Sequence, residues 1–202
     1  FYMTEKFNII NIDDPWGKKI LEELKESSKE FFTFGINENA DYKAENINYN
    51  SWGVRYNIVK DLLSREIVLK IPGKVNVYNS LTAISFALTD DIPYKTIFEG
   101  IKNIQGVRGR FENVFRNDDF QVIIDFAHTE DGLKEVITTL RPFTKGKIIL
   151  VFGVYAPSIE EGRSKRLAMG KTAAEFADIL FITSDNPKTQ DQEAIIKEIK
   201  EG

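Results

Sequence analysis

The stretch QVIIDFAHTEDGLKEVITTLRPFTKGKIILVFGV, residues 121–154, carries the clearest fold signal in the chain. It contains two apolar runs, QVIIDFA (121–127) and KIILVFGV (147–154), each with the length of a buried strand. Between them, DGLKEVITTLRPF (131–143) has apolar residues at helical spacing, and Pro142 marks the end of the helix. A strand, a helix and a second strand in this order predict a parallel βαβ unit.

The same pattern continues toward the carboxyl terminus. SKRLAMGKTAAEFA (164–177) is typical of a helix, DILFITSD (178–185) of a buried strand, and the QEAIIKEIKEG run that ends at residue 202 of a closing helix. Three consecutive strand–helix units predict an α/β fold with a parallel, doubly wound sheet, because parallel strands need crossover helices between them.

The first seventy residues favour a different sheet. FNIINID (7–13) and EFFTFGI (30–36) predict strands on either side of a helix that begins near Pro15. Residues 41–70 alternate apolar and polar side chains around turn-forming residues, which indicates antiparallel strands or a hairpin.

Two helices and a break follow. Helical spacing of apolar residues predicts one helix that starts near Asn76 or Asn79, and YKTIFEGIKNIQ (94–105) predicts a second, amphipathic one. GVRGRFENV (106–114) is interrupted by glycine, and the strand–helix pattern restarts after it. We therefore predict two domains, residues 1–107 and 108–202.

The composition limits the classes of function. The chain has 202 residues, of which 42% are apolar and 29% charged, and its formal net charge of −4 does not favour nucleic acid or a membrane surface as a partner. It contains no cysteine and a single histidine, which excludes thiolate and histidine-rich metal sites. No apolar run approaches the ~20 residues that span a bilayer, and the start lacks signal-peptide architecture. We expect a cytoplasmic monomer.

Ligands of open α/β sheets bind beyond the carboxyl ends of the strands, which selects the loops 125–129, 153–164 and 184–189. In the first loop, Asp125 and Thr129 are typical turn and helix-cap residues, and His128 is then a surface imidazole. Alternatively, Asp125 accepts hydrogen bonds from a ribose or an amine, while His128 and the amino end of the helix face phosphates. The pattern alone leaves both interpretations open.

The other candidate positions allow two interpretations as well. In TSDNPK (183–188), Asp185 and Asn186 suit an ammonium and Lys188 suits a carboxylate, although SDNP is also ordinary turn chemistry. Arg108 and Arg110 in GVRGR are cations that suit phosphates, or they are solvated charges of a linker. No G-x-x-x-x-G-K-[ST] phosphate loop occurs in the chain.

Taken in order, seven stretches resemble the Mur ligases, ATP-dependent enzymes that build the peptide of peptidoglycan. They are NIDDPWG, GKVNVYNSLTA, GVRGRFE, IIDFAHTEDGL, VFG, KRLAMGK and TSDNPK. The resemblance runs over nearly the whole chain with consistent order and spacing, and it is strongest to the members that add the third amino acid. It implies that residues 1–107 are the carboxyl-terminal part of the central ATPase domain. Residues 108–202 would be the amino-terminal part of a Rossmann-like domain that binds the amino acid.

The resemblance also implies an activity and its site residues. ATP phosphorylates the terminal carboxylate of UDP-N-acetylmuramoyl-L-alanyl-D-glutamate, and the amine of a diamino acid then displaces phosphate. The residues that match ATP-binding positions of the family are Asn76 and Asn79 on the adenine side, and Arg110, Asp125 and His128 on the ribose and phosphate side. Those that match the amino-acid loop are Asp185, Asn186 and Lys188.

Departures from the family pattern qualify this interpretation. The family's P-loop, Mg²⁺ ligands and carbamylated lysine belong upstream of this chain, so we expect no catalytic side chain, no metal ligand and no turnover from the chain alone. The family's GGDRD segment is replaced by VYAPSIEEGRS, in which Arg163 is the candidate substitute for the family arginine. Two alternatives remain: a non-catalytic Mur-like binding module, and a ligase like folylpolyglutamate synthase, which has DGAHN where this chain has DFAHT.

Lys188 gives an expectation about the substrate. A cation at this loop repels the side-chain ammonium of lysine and attracts a distal carboxylate, so the parent enzyme is expected to add a diamino dicarboxylic acid such as diaminopimelate. Lysine offers a point charge where an arginine would offer a planar fork, and looser discrimination among such acids follows.

Overall fold

A computed structural model describes residues 6–156 and 158–202. The chain divides into two compact units between Gly106 and Val107. Both units are α/β, as the sequence predicts. Within the described residues, no helix has the length and apolar character needed to cross a membrane.

The first unit is built on a five-stranded mixed sheet with strand order β1 to β5. Strands β1, β2 and β3 are parallel neighbours, and β3, β4 and β5 form an antiparallel meander, which confirms the predicted antiparallel segment. The elements are β1 (Asn8–Asn11), α1 (Pro15–Lys25), β2 (Phe31–Gly35), β3 (Tyr42–Asn50), β4 (Gly53–Lys60), β5 (Leu63–Leu69), α2 (Lys74–Thr89) and α3 (Tyr94–Asn103).

Local sequence explains where the first two helices of this unit begin. The carboxylate of Asp14 accepts hydrogen bonds from the backbone N–H groups of Trp16 and Gly17, and Pro15 occupies the first turn of α1. Helix α2 begins at Lys74, slightly earlier than predicted, directly after Gly73, whose φ of 99° suits glycine alone. One face of α2 packs on the sheet through Val77, Leu81 and Ile84, all fully buried.

The second unit contains two separate two-stranded sheets. Strands β8 and β9 are parallel, with Val151 opposite Phe181, and β6 and β7 are antiparallel. The elements are β6 (Glu112–Arg116), β7 (Gln121–Ile124), α4 (Glu130–Leu140), a 3₁₀ turn (Arg141–Phe143), β8 (Ile149–Phe152), α5 (Ile159–Phe176), β9 (Ile179–Ile182) and α6 (Gln192–Glu201).

Parallel pairing is confirmed for β8 and β9, but β7 departs from the expectation of one continuous parallel sheet. It pairs with β6, a strand that begins inside the segment 106–114, which the sequence analysis treated as a break. The cause is a side-chain turn: Asn117 Oδ1 accepts the backbone N–H groups of Asp119 at 2.9 Å and Phe120 at 2.8 Å and closes a hairpin. Helix α4 ends at Leu140, and Pro142 lies in the 3₁₀ turn that follows.

Helix α5 also differs, because it begins at Ile159, five positions before the predicted start at residue 164. Gly162 is therefore helical rather than part of a loop. Glycine is needed there because a Cβ would overlap the Arg166 side chain and the Cβ of Ala156. The side chains of Leu133, Ile137, Met169, Ala173 and Ile199 pack α4, α5 and α6 together over one face of the β8–β9 sheet.

Candidate nucleotide and amino-acid sites

Asp125 lies directly after β7 and links two segments of the second unit. Its Oδ2 accepts the backbone N–H of Phe111 at 2.7 Å, and its Oδ1 accepts that of Ala127 at 2.7 Å. Phe111 has a φ of 46°, a conformation uncommon for a bulky residue, so this hydrogen bond supports a strained turn. Each carboxylate oxygen keeps a second lone pair that is able to accept a hydroxyl. Asp125 thus joins the GVRGR segment to the His128 loop.

The structure brings Arg110 and His128 to the same place through a residue that the sequence analysis did not select. The Arg110 guanidinium carbon lies 4.7 Å from the centre of the Phe126 ring, and the His128 ring centre lies 5.1 Å from it. His128 Nδ1 is 3.0 Å from the carbonyl oxygen of Phe126. All three side chains are exposed, and Phe126 retains 60% of its accessible surface. The sequence carries no signal for this contact, because Arg110 and Phe126 are distant in the chain and only the fold brings them together.

The amino end of α4 is less suited to an anion than the sequence analysis expected. Thr129 caps the helix, as predicted, by accepting the backbone N–H of Gly132 at 3.2 Å. The first turn, however, contains Glu130 and Asp131, whose carboxylates already complement the helix dipole and repel phosphate. Arg110 and His128 are therefore better placed than the helix end to receive phosphates.

Asn76 and Asn79 lie one turn apart on α2. Asn76 is half-buried and donates from Nδ2 to the carbonyl oxygen of Pro72 at 2.7 Å. Asn79 is exposed and donates from Nδ2 to Asn76 Oδ1 at 3.3 Å. Asn76 thereby orients Asn79, whose amide oxygen and second N–H are available to a base edge.

Asp13 is a structural centre of the first unit that the sequence analysis missed. Its carboxylate accepts the backbone N–H groups of Ile36 at 2.6 Å, Asn37 at 3.0 Å and Glu38 at 2.9 Å, and the hydroxyl of Tyr78 at 2.8 Å. Tyr78 lies between the two asparagines on α2, so Asp13 ties α2 to the loop after β2.

Asp13 and Tyr78 change each other's pKa. Partial burial pushes the pKa of Asp13 up, but the hydrogen bonds from the backbone and from Tyr78 outweigh burial, and the net pKa lies below its ordinary 3.8. Burial and the hydrogen bond to Asp13 raise the pKa of Tyr78. The pair therefore stays a carboxylate and a neutral phenol over the physiological range.

The loops after β8 and β9 pack against each other in the second unit. A Cβ on Gly153 would lie 2.8 Å from Asp185 Cβ and from the carbonyl oxygen of Thr183, so the loops approach closely there. Gln190 Nε2 donates to the carbonyl oxygen of Ala156 at 2.8 Å. Lys188 Nζ lies 5.1 Å from the centre of the Tyr155 ring.

The predicted amino-acid residues lie together in the second of these loops. Asp185, Asn186 and Lys188 are all exposed. Asn186 and Lys188 flank Pro187 with φ angles of 41° and 52°. Two positive φ angles so close together in non-glycine residues define an unusual loop conformation, which sets the direction of the lysine side chain.

Arg163, the candidate substitute for the family arginine, pairs with two carboxylates of α6 in this structure. Its guanidinium is bound by Glu198 at 3.1 Å and Glu201 at 3.0 Å, both on α6. Glu198 also accepts from Nε of the fully buried Arg166 at 2.5 Å. These arginines join α5 to α6, so the altered segment contributes packing between helices at this position.

Among the described residues, neither a metal-binding cluster nor the polar groove of the first unit coincides with the predicted site. No three acidic, histidine or cysteine side chains come together as a metal-binding group there. A polar groove of about 360 Å³ in the first unit contains none of the predicted site residues. Two of its charged side chains already have hydrogen-bond partners. Lys60 donates to the Tyr42 hydroxyl at 2.7 Å, and Asp41 accepts from the Thr33 hydroxyl at 2.6 Å.

The two units match known domain families. The family model for the Mur ligase middle domain matches residues 2–87, and the one for the Mur ligase glutamate ligase domain matches residues 109–202. The chain belongs to the Mur ligase family. It is 42% identical over 197 residues to the UDP-N-acetylmuramoyl-L-alanyl-D-glutamate–2,6-diaminopimelate ligase of Clostridium botulinum, with 96% of this chain and 40% of that protein covered. This chain therefore spans less than half the length of that relative.

Solved structures are similar as well. A structure of a UDP-N-acetylmuramoyl-L-alanyl-D-glutamate–2,6-diaminopimelate ligase matches with a TM-score of 0.64 and 28% sequence identity. The match covers 98% of this chain and 40% of the chain in that structure. A folylpolyglutamate synthase from Thermotoga maritima has a TM-score of 0.70 but only 19% identity, with 93% and 43% covered. The latter similarity shows a shared fold alone.

Proposed function

We propose that this chain is part of an ATP-dependent amide ligase that joins diaminopimelate to UDP-N-acetylmuramoyl-L-alanyl-D-glutamate in peptidoglycan synthesis. The observation that carries the proposal is the 42% identity, across 96% of this chain, to a protein named for that reaction. Residues 1–107 are then the end of the central ATPase domain, and residues 108–202 the start of the Rossmann-like domain. We place the enzyme in the cytoplasm as a monomer.

The reaction divides into two chemical steps. The terminal carboxylate of the sugar dipeptide attacks the γ-phosphorus of ATP, which gives an acyl phosphate and ADP. The amine of the incoming acid attacks the acyl carbon, an amide bond forms, and phosphate leaves with one oxygen of the original carboxylate. Such transfers depend on positioning and charge stabilisation. We assign the P-loop and the Mg²⁺ ligands to the part of the polypeptide that this chain does not span.

The residues of this chain fit the binding side of that chemistry. Arg110 and His128 are exposed nitrogen donors on either side of Phe126 and suit the phosphates. Asp125 has free lone pairs for ribose hydroxyls, and Asn79 has a free amide edge for adenine. Asp185 and Asn186 suit the ammonium of the amino acid.

The proposal predicts how the full-length polypeptide chooses its amino acid. With ATP, Mg²⁺ and the sugar dipeptide present, kcat/KM for diaminopimelate should exceed that for L-lysine by at least tenfold, because Lys188 attracts the distal carboxylate, which L-lysine lacks. Product mass and ADP release measure both reactions. A preference for L-lysine would refute the substrate assignment. Ligation by residues 1–202 alone would refute the assignment of the P-loop and the Mg²⁺ ligands to another part of the polypeptide.

A further inference from the structure

Tyr155 contacts the one cation of the proposed amino-acid loop. It lies in the segment that replaces the family's GGDRD, directly after β8, and its ring is half-buried. Lys188 Nζ lies 5.1 Å from the centre of this ring, within the range of a cation–π interaction. The contact joins the altered segment to the residue expected to choose the substrate.

The backbone around Tyr155 is held on both sides. Gly153 packs against Asp185 and Thr183 with no room for a Cβ, and the carbonyl oxygen of Ala156 accepts from Gln190 at 2.8 Å. The carbonyl oxygen of Tyr155 accepts from Lys165 Nζ on α5 at 3.1 Å. These contacts anchor the backbone that carries the ring to α5 and to the loop after β9.

A ring on an anchored backbone, 5.1 Å from Lys188 Nζ, reduces the freedom of the lysine side chain. A lysine ammonium is a point charge on a flexible four-carbon stem, and it loses much rotamer freedom when it binds a carboxylate. The face of the ring confines the ammonium before the ligand arrives, while N–H bonds that point away from the ring remain for the ligand.

We infer that Tyr155 is a specificity-determining positioning residue, which holds Lys188 ready to receive the distal carboxylate of a diamino dicarboxylic acid. The inference rests on the proposed function and names a determinant within it. The ring does not touch the substrate; it acts through Lys188. The pair offers the carboxylate a point charge positioned by a ring, where an arginine would offer a planar fork.

The test compares Tyr155→Leu, which removes the ring, with Tyr155→Phe, which keeps it, in the full-length polypeptide. Tyr155→Leu is expected to raise KM for diaminopimelate about twofold to fivefold, with a smaller effect on kcat, because a partly exposed cation–π contact is worth about 0.5–1 kcal/mol. The kcat/KM for L-lysine should not fall. Tyr155→Phe should keep the selectivity of the wild type.

A double-mutant cycle separates this role from a general effect on folding. In a Lys188→Ala background, Tyr155→Leu should cause no further loss of selectivity, because its effect passes through the lysine. Additive losses, an equal loss in Tyr155→Phe, or wild-type selectivity in Tyr155→Leu would each overturn the inference alone. A wild-type enzyme that does not ligate diaminopimelate would instead overturn the proposed function.

Discussion

Replacing Asp125 with alanine is expected to lower kcat/KM for ATP in the full-length polypeptide by about 100-fold. The carboxylate fixes the backbone at Phe111 and Ala127, one residue away from Arg110 and from His128. Hydrogen bonds to a charged group contribute roughly 1.5–3 kcal/mol each, and misplacing two phosphate-binding side chains costs transition-state stabilisation. Initial rates at varied ATP, with both other substrates saturating, measure the effect.

Asp118→Ala is the matched control for this substitution. It removes an exposed carboxylate from the turn of the same β6–β7 hairpin, outside the proposed site. We expect its kinetics to match those of the wild type. If Asp125→Ala has the same KM for ATP and the same kcat as Asp118→Ala, then Asp125 does not organise a nucleotide site.

Replacing Asp13 with alanine is expected to reduce the free energy of unfolding by about 2 kcal/mol at pH 7. The substitution removes the acceptor of three backbone N–H groups and of the Tyr78 hydroxyl. The figure is set near the low end for several hydrogen bonds to a carboxylate, because Asp13 is partly exposed to solvent. Urea unfolding of the 202-residue chain, monitored by circular dichroism, measures the change.

The contribution of Asp13 should depend on pH with a definite sign. Because its pKa is lower in the folded state, its ionisation stabilises the fold above the ordinary carboxyl pKa of 3.8, and this stabilisation is lost as the pH falls below that value. The difference between wild type and Asp13→Asn should therefore shrink from pH 6 to pH 3. Asp14→Ala, which removes only the α1 cap, is expected to cost about 1 kcal/mol. An equal loss for Asp13→Ala and Asp14→Ala would contradict the role given to Asp13.

Local patterns were sufficient for most elements of the fold. Asp14 and Pro15 indicate the start of α1. The apolar runs around residues 149–152 and 179–182 form the parallel pair β8–β9. Strand β6 was not predicted, because its pairing depends on a turn closed by the side chain of Asn117 and the glycines before it suggested a linker. The early start of α5 was not predicted, because a glycine at position 162 argues against a helix unless its close packing against Arg166 and Ala156 is known.

The site was predictable only as far as it follows strand ends and family motifs. Strand ends and family motifs both selected Asp125 and His128, and the family motif GVRGRFE selected Arg110. The structure places all three within one part of the second unit. The contacts between Asp13 and Tyr78, and between Tyr155 and Lys188, join residues far apart in sequence. No spacing rule connects such pairs, because tertiary packing alone brings them together.

The central claim is that this chain serves a ligase that activates a carboxylate with ATP before forming an amide. The most direct test uses sugar dipeptide labelled with ¹⁸O in its terminal carboxylate, together with ATP, Mg²⁺, diaminopimelate and the full-length polypeptide. The account predicts one ¹⁸O atom in the inorganic phosphate for each amide formed, and no amide without diaminopimelate. Amide formation with unlabelled phosphate, or no amide at all, would contradict it.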